Sequence, residues 1–253
     1  MTGWSIAATR DTLGSVDRDE LVRVLRAFEA TRLEYVLIGS TAMGFHGLVR
    51  ATEDVDLFIR ATPENIERLR QALRSAYADD PHIDDIRAAD LLGEYPAVRY
   101  YPPNADLFFD VMTRLGEAAS FETVEAEIKE FEGIHVSVAT PRALYRLKKG
   151  TVRPLDRQDA AALRDRSNRQ TRTSMPVTKF RSAEEMNATP VAGGPADDFG
   201  RFLRHCARFR LIAARSYPGG VFKFRDLLEA QAARARDSLR RTDARMTDST
   251  SNG

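Results

Sequence analysis

The chain has one cysteine, Cys206, one tryptophan and four histidines in 253 residues. A lone cysteine cannot close an internal disulfide, so a stapled secreted scaffold is excluded and a reducing compartment is favoured. No stretch approaches the roughly 20 apolar residues of a membrane span. The first fifteen residues lack the apolar run of a signal peptide. A cytoplasmic protein without membrane association is expected. Net charge is also nearly absent, at +1. That balance conceals a division. Of 38 basic and 37 acidic residues, 14 and 9 lie from Met175 onward, a local excess of +5 that leaves −4 before it. An acidic part joined to a basic part suggests two units with different tasks.

What is present begins with an apolar content of 43%, enough for a real core. The stretch from Tyr35 to Ile59 organises the rest. It reads as a buried strand over Tyr35–Ile38, a Gly39-Ser40 turn, a short helix to His46 closed by Gly47, and a second strand over Asp54–Ile59. Residues two apart on a strand share a face, so Asp54 and Asp56 project together. Two adjacent carboxylates repel and need a cation. Magnesium takes oxygen ligands of this kind, one or two carboxylates plus substrate phosphates. Gly39 and Ser40 stand where a strand meets a helix N-terminus, where free backbone N–H groups favour a phosphate. Asp110 on a later strand, Leu107–Met112, shares a face by parity with Asp106, the residue just before that strand. Asp110 is the candidate for a third carboxylate, holding a second metal or deprotonating an attacking hydroxyl. His46 reads as a structural histidine at a helix end.

Elsewhere, Asp17 with Glu20 looks like a capping box opening a helix with Leu21, Leu25 and Phe28 on one face. A helix is expected over Asn65–Tyr77. Ala78–Asp90 reads as irregular or partly helical. A hairpin is expected from Val98–Tyr101 and Leu107–Met112, and a helix over Glu122–Phe131. An edge or one-sided strand follows through Ile134, Val136 and Val138. Helices should open at Pro141 and Pro154. The polar, basic stretch Arg164–Ser174 reads as a linker. After it, Val177–Ser182 recurs as Val221–Asp226, with Glu185 and Ala188 recurring as Glu229 and Ala232. Each copy is an extended piece running into a capped helix, with a further helix over Asp198–Ser216 between them.

Gly39-Ser40 followed by Thr52-Glu53-Asp54-Val55-Asp56 resembles the signature of the polymerase-beta-type nucleotidyltransferase fold. Ala42–Gly47 with Arg50-Ala51-Thr52 is similar to a narrower group, the AbiE-type and MenT-type nucleotidyltransferase toxins. Phe109–Thr113, Leu144–Lys148 and Arg153–Asp159 match later pieces, so the likeness spans about residues 20 to 165. It implies an α+β fold, a mixed-sheet domain with flanking helices, over 1–170. It implies a magnesium (or manganese) dependent transfer from an NTP, CTP or UTP favoured, to the 3′ end of tRNA, blocking translation. By position Asp54, Asp56 and Asp110 would be metal ligands, and Gly39 and Ser40 phosphate ligands. Lys148 would contact the triphosphate and Asp159 would orient it or Lys148. Whether Lys148 or Lys149 faces the site is open, as is whether Arg50 contacts phosphate. Ten basic against three acidic residues over Arg142–Arg172 suit an RNA acceptor or a merely solvated face. A small molecule or protein side chain as acceptor remains an alternative, as does a degenerate binding module, although the acidic set with Lys148 argues against the latter. Residues 171–174 read as a linker and 175–245 as a small basic module, with a disordered tail over 246–253. That module resembles the small MenA-like antitoxins encoded beside such enzymes, which implies a neutralising segment in cis. It competes with a segment that delivers RNA.

Overall fold

A computed structural model describes residues 9–48, 52, 54–103, 105, 107–115, 119–149, 154–171, 195–212, 218–226 and 228–233. Fourteen elements order the description: α1 (Thr9–Ala30), β1 (Tyr35–Ile38), α2 (Gly39–Phe45), β2 (Asp54–Ile59), α3 (Pro63–Ala76), α4 (Ala88–Leu92), β3 (Ala97–Tyr101), β4 (Phe108–Met112), β5 (Ala126–Phe131), β6 (Ile134–Ala139), α5 (Pro141–Lys148), α6 (Pro154–Thr171), α7 (Pro195–Ile212) and β7 (Gly220–Phe224). The strands form one mixed sheet in the order β5-β6-β1-β2-β4-β3-β7. Pairing is parallel for β1 with β6 and antiparallel for β5 with β6, β3 with β4 and β3 with β7. The mixed sheet with its helices agrees with the expected mixed-sheet α+β domain and is consistent with a nucleotidyltransferase-type fold.

Two units can be described separately, and their covalent division passes through α1 and between Val55 and Asp56 of β2. The first comprises Met1–Val22, Val36–Val55 and Val124–Arg215. Its core forms around α2, which is buried from Ser40 to Phe45. Phe45 stacks on Phe199 of α7 at 3.7 Å between ring centroids, and Phe131 meets Phe199 edge-on at 4.8 Å. Gly44 lets α7 come close, because a Cβ there would lie 2.6 Å from Cγ of the Phe202 ring. His46, at the end of α2, donates from Nε2 to the Ala139 carbonyl at 2.8 Å, and so ties the helix to the end of β6.

The second unit comprises Arg23–Tyr35, Asp56–Thr123 and Ser216–Gly253. Here α3 starts with a Thr62 cap, whose hydroxyl accepts from the Asn65 amide, and with Pro63 at its first position. The fully buried Asn65 then bridges three backbone groups. It accepts from the Glu34 amide at 2.8 Å and donates to the Glu34 and Arg60 carbonyls at 2.9 and 3.0 Å. On the other side β7 pairs with β3 over five residues, from Ala97↔Phe224 to Tyr101↔Gly220. Lys223 reaches Asp90 at 2.6 Å and Arg225 reaches Glu94 at 2.9 Å. Asp226 then caps the following helical turns by accepting from the Glu229 amide at 2.8 Å.

The structure corrects several expectations. α1 begins at Thr9, so Asp17 lies inside it rather than at its cap. Glu122–Phe131 is not helical: a 3-10 turn over Phe121–Thr123 gives way to strand β5. Its Ala, Glu and Lys residues suit a helix locally, but pairing with β6 overrides that weak preference. The two-residue turn Glu132-Gly133, with φ of +53° and +74°, is the hairpin geometry that matches strand twist. β6 is one-sided in burial but lies inside the sheet, between β5 and β1. Residues 164–171 continue α6 instead of forming a linker. The first copy of the repeat, Val177–Ser182, and the tail lie outside the described residues.

Candidate active site

β2 carries the first two acids. Asp54 is buried, with 4% of its surface exposed, and Asp56 is half-buried on the same face of the strand. Two groups from neighbouring elements hold Asp54. The Thr41 hydroxyl of α2 donates to the Asp54 carbonyl at 3.1 Å, and the Thr52 hydroxyl donates to its carboxylate. Thr52 is fixed in turn, its amide donating to Sγ of Cys206 at 3.4 Å. The chain's one cysteine thus sits on α7 behind the residue that holds Asp54.

β4 lies next to β2 in the sheet and carries Asp110. One carboxylate oxygen from each of Asp54, Asp56 and Asp110 lies within 4.8 Å of the other two. Three carboxylates gathered this closely repel one another, and an oxygen-only donor set of this size suits a hard divalent cation such as magnesium or manganese. The sequence-predicted trio is therefore brought together.

The predicted Lys148 and Asp159 also meet. Nζ of Lys148, at the end of α5, lies 2.8 Å from Oδ2 of Asp159 and 3.2 Å from Oδ1 of Asp156, both on α6. Both carboxylates are buried. Lys148 is the engaged lysine of the pair, while Lys149 is exposed. The sequence reading did not assign Asp156 a role. The signal was available, because Asp156 and Asp159 stand three apart on one helix and so reach the same neighbour.

Gly39 opens α2 with φ of +66°, a left-handed conformation that glycine takes without strain. Ser40 follows it, buried, in the first turn of that helix. Arg50, Glu53 and Asp106 lie outside the described residues.

Sequence reasoning missed Arg99. It stands directly across from Asp110 in the β3–β4 pairing, and its side chain is 3% exposed. Its Nε and Nη2 donate to the two Asp110 oxygens at 2.6 and 2.9 Å. An arginine in an otherwise apolar strand is the signal that could have found it, since a buried guanidinium requires a partner.

The family model described as "Nucleotidyl transferase AbiEii toxin, Type IV TA system" matches residues 21–148, about half of the chain. A search of the curated proteins finds no match. The matched span holds β1, α2, β2 and β4, and with them all three clustered carboxylates and Lys148. The chain belongs to the AbiEii nucleotidyltransferase toxin family and is a nucleotidyltransferase of toxin–antitoxin type.

Proposed function

We propose that the protein transfers a nucleotide from an NTP, a pyrimidine nucleotide by preference, to the 3′ end of tRNA and thereby blocks translation. The observation that carries the reading is the meeting of the Asp54, Asp56 and Asp110 oxygens within 4.8 Å. These three residues would hold a divalent ion, which when bound supplies positive charge to the substrate phosphates. Gly39 and Ser40 would contact phosphate at the start of α2. Lys148, steadied by Asp156 and Asp159, would bind the triphosphate, and Arg50 would add a further phosphate contact. In the transfer the acceptor 3′ oxygen forms a bond to the α-phosphorus, the bond from that phosphorus to the bridging oxygen breaks, and pyrophosphate leaves. The hydroxyl proton passes to Asp110. The excess of ten basic over three acidic residues along Arg142–Arg172 is the support for RNA as the acceptor.

The test is to incubate the full chain with each labelled NTP, magnesium and total tRNA, beside the Asp54→Asn and Asp56→Asn variants. Label from CTP or UTP at the tRNA 3′ end, absent in both variants, is expected. Label on protein or on a small molecule instead would redirect the acceptor, and no label from any NTP would support a binding module or complete neutralisation in cis.

One reading of residues 175–245, in a cytoplasmic protein, is a neutralising, antitoxin-like role in cis, which would leave transfer by the full chain only partial. The ion pairs of Lys223 with Asp90 and of Arg225 with Glu94 support attachment of this basic segment to acidic partners. A second reading, that the segment supports transfer, is favoured by the built-in position of its elements. β7 extends the sheet, and α7 presents Cys206 to Thr52.

A further inference from the structure

The third acid does not stand alone. Asp110 on β4 and Arg99 on β3 face each other across the strand pair and meet through two hydrogen bonds, at 2.6 and 2.9 Å. The planar guanidinium fork fixes both oxygens of the carboxylate at once, which one point charge cannot do. The guanidinium is itself held. Its central carbon lies 5.4 Å from the Phe108 ring centroid of β4 and 5.5 Å from the Phe224 ring centroid of β7. A cation flanked by two aromatic rings and almost wholly removed from water has little freedom to rotate. A carboxylate offers about four lone-pair positions, so a bidentate arginine leaves the outward ones for a metal or substrate.

We propose that Arg99 is a positioning residue for the transfer reaction. It orients the Asp110 carboxylate towards Asp54 and Asp56, and Phe108 and Phe224 hold the guanidinium in place. The proposal rests on the reading of Asp54, Asp56 and Asp110 as the metal site. It adds to that reading the residue that sets the direction of the third ligand, and it gives the C-terminal strand a part in doing so. Arg99 also offsets part of the mutual repulsion of three gathered carboxylates. That charge effect alone would be served equally by lysine, and this separates orientation from mere compensation.

The experiment uses the full chain and the variants Arg99→Lys, Asp110→Asn and their combination. Three quantities are read: kcat and KM for labelled nucleotide transfer, manganese affinity without nucleotide by electron paramagnetic resonance, and Tm. Arg99→Lys should lower kcat and weaken manganese binding by roughly 10- to 100-fold each, as loss of a ligand's orienting partner does, while KM for the NTP moves by about threefold or less. Added to Asp110→Asn, it should cause no further loss, because the carboxylate it orients is already gone. Phe224→Leu, which keeps the apolar volume but removes the ring, should give a smaller loss in the same direction, again absent beside Asp110→Asn. The proposal is overturned if Arg99→Lys keeps wild-type kcat and manganese affinity. It is overturned equally if the two losses multiply in the combined variant, or if Tm alone falls while kcat per folded molecule holds. If Asp110→Asn by itself leaves transfer and manganese binding intact, the three-carboxylate site falls first and the role of Arg99 falls with it.

Discussion

At the scale of single residues, the consequential side chains outside the site are buried polar groups with specific partners. Asn65 is the first case. Its three hydrogen bonds join the start of α3 to the Glu34 and Arg60 backbone, the residues flanking β1 and β2. Asn65→Leu keeps the volume but leaves the Glu34 amide without this acceptor, and should destabilise the fold by roughly 2–4 kcal/mol in urea denaturation. A loss below measurement error would mean that water or a backbone shift replaces the amide. Tyr100 is the second. Burial, helped by its 2.6 Å hydrogen bond to Asp80, pushes its phenol well above the ordinary value of about 10. The folded state therefore keeps the phenol protonated while the unfolded chain releases its proton. Stability from this group is complete below about pH 10 and is lost as the pH rises beyond it. Urea midpoints taken between neutral and strongly alkaline pH should fall less steeply in Tyr100→Phe than in the parent. Parallel slopes would place the alkaline sensitivity elsewhere.

At the scale of elements, legibility followed local periodicity and failed where long-range pairing decided. β1, α2 and β2 were readable because an unbroken apolar run, a glycine-serine turn and a spaced acid pair are all local signals. The acid trio was readable only in part: strand parity puts Asp54 with Asp56, but Asp110, a candidate by its own strand, joined them through the family resemblance, because the pairing of β2 with β4 is not local. β5 was not, because Ala126–Phe131 has helix-forming residues and becomes a strand only by pairing with β6. Arg99 was missed for a related reason: its partner lies eleven residues away on another strand, and only the register brings them opposite. The attachment of α7 was equally hidden, although its consequence is sharp. Gly44 of α2 lies under the Phe202 ring, which is itself 2% exposed and closely packed with Phe199. A methyl at position 44 would sit 2.6 to 2.9 Å from three ring carbons. Gly44→Ala should therefore cost roughly 1–3 kcal/mol by overpacking, despite alanine's better helix propensity. Gly44→Ala with Phe202→Leu should recover part of that loss. A stabilised single variant would show that α7 can move away freely.

At the scale of the whole molecule, the question is whether the basic C-terminal part restrains the acidic enzyme or completes it. The charge division of −4 and +5 fits either role. The contacts favour completion, because α7 and β7 each lie beside something that serves an acid. α7 holds Thr52 through Cys206, and Thr52 holds Asp54. β7 places Phe224 beside Arg99, and Arg99 holds Asp110. Lys223 offers a handle on β7 that touches neither acid directly. Its pair with Asp90 is only about a quarter exposed, so it is screened less than the open pair of Arg225 with Glu94. Lys223→Glu would set two carboxylates against each other at that point and loosen β7 from β3, whereas Arg225→Ala should leave Tm unchanged. If the segment completes the enzyme, Lys223→Glu lowers both Tm and nucleotide transfer, and Lys223→Glu combined with Asp90→Lys restores both by reversing the pair. If the segment restrains the enzyme, loosening β7 raises transfer above the parent and slows growth of cells expressing it. The two readings thus predict changes of opposite sign in one measurement on the intact chain, and the rings around Arg99 lead us to expect the fall.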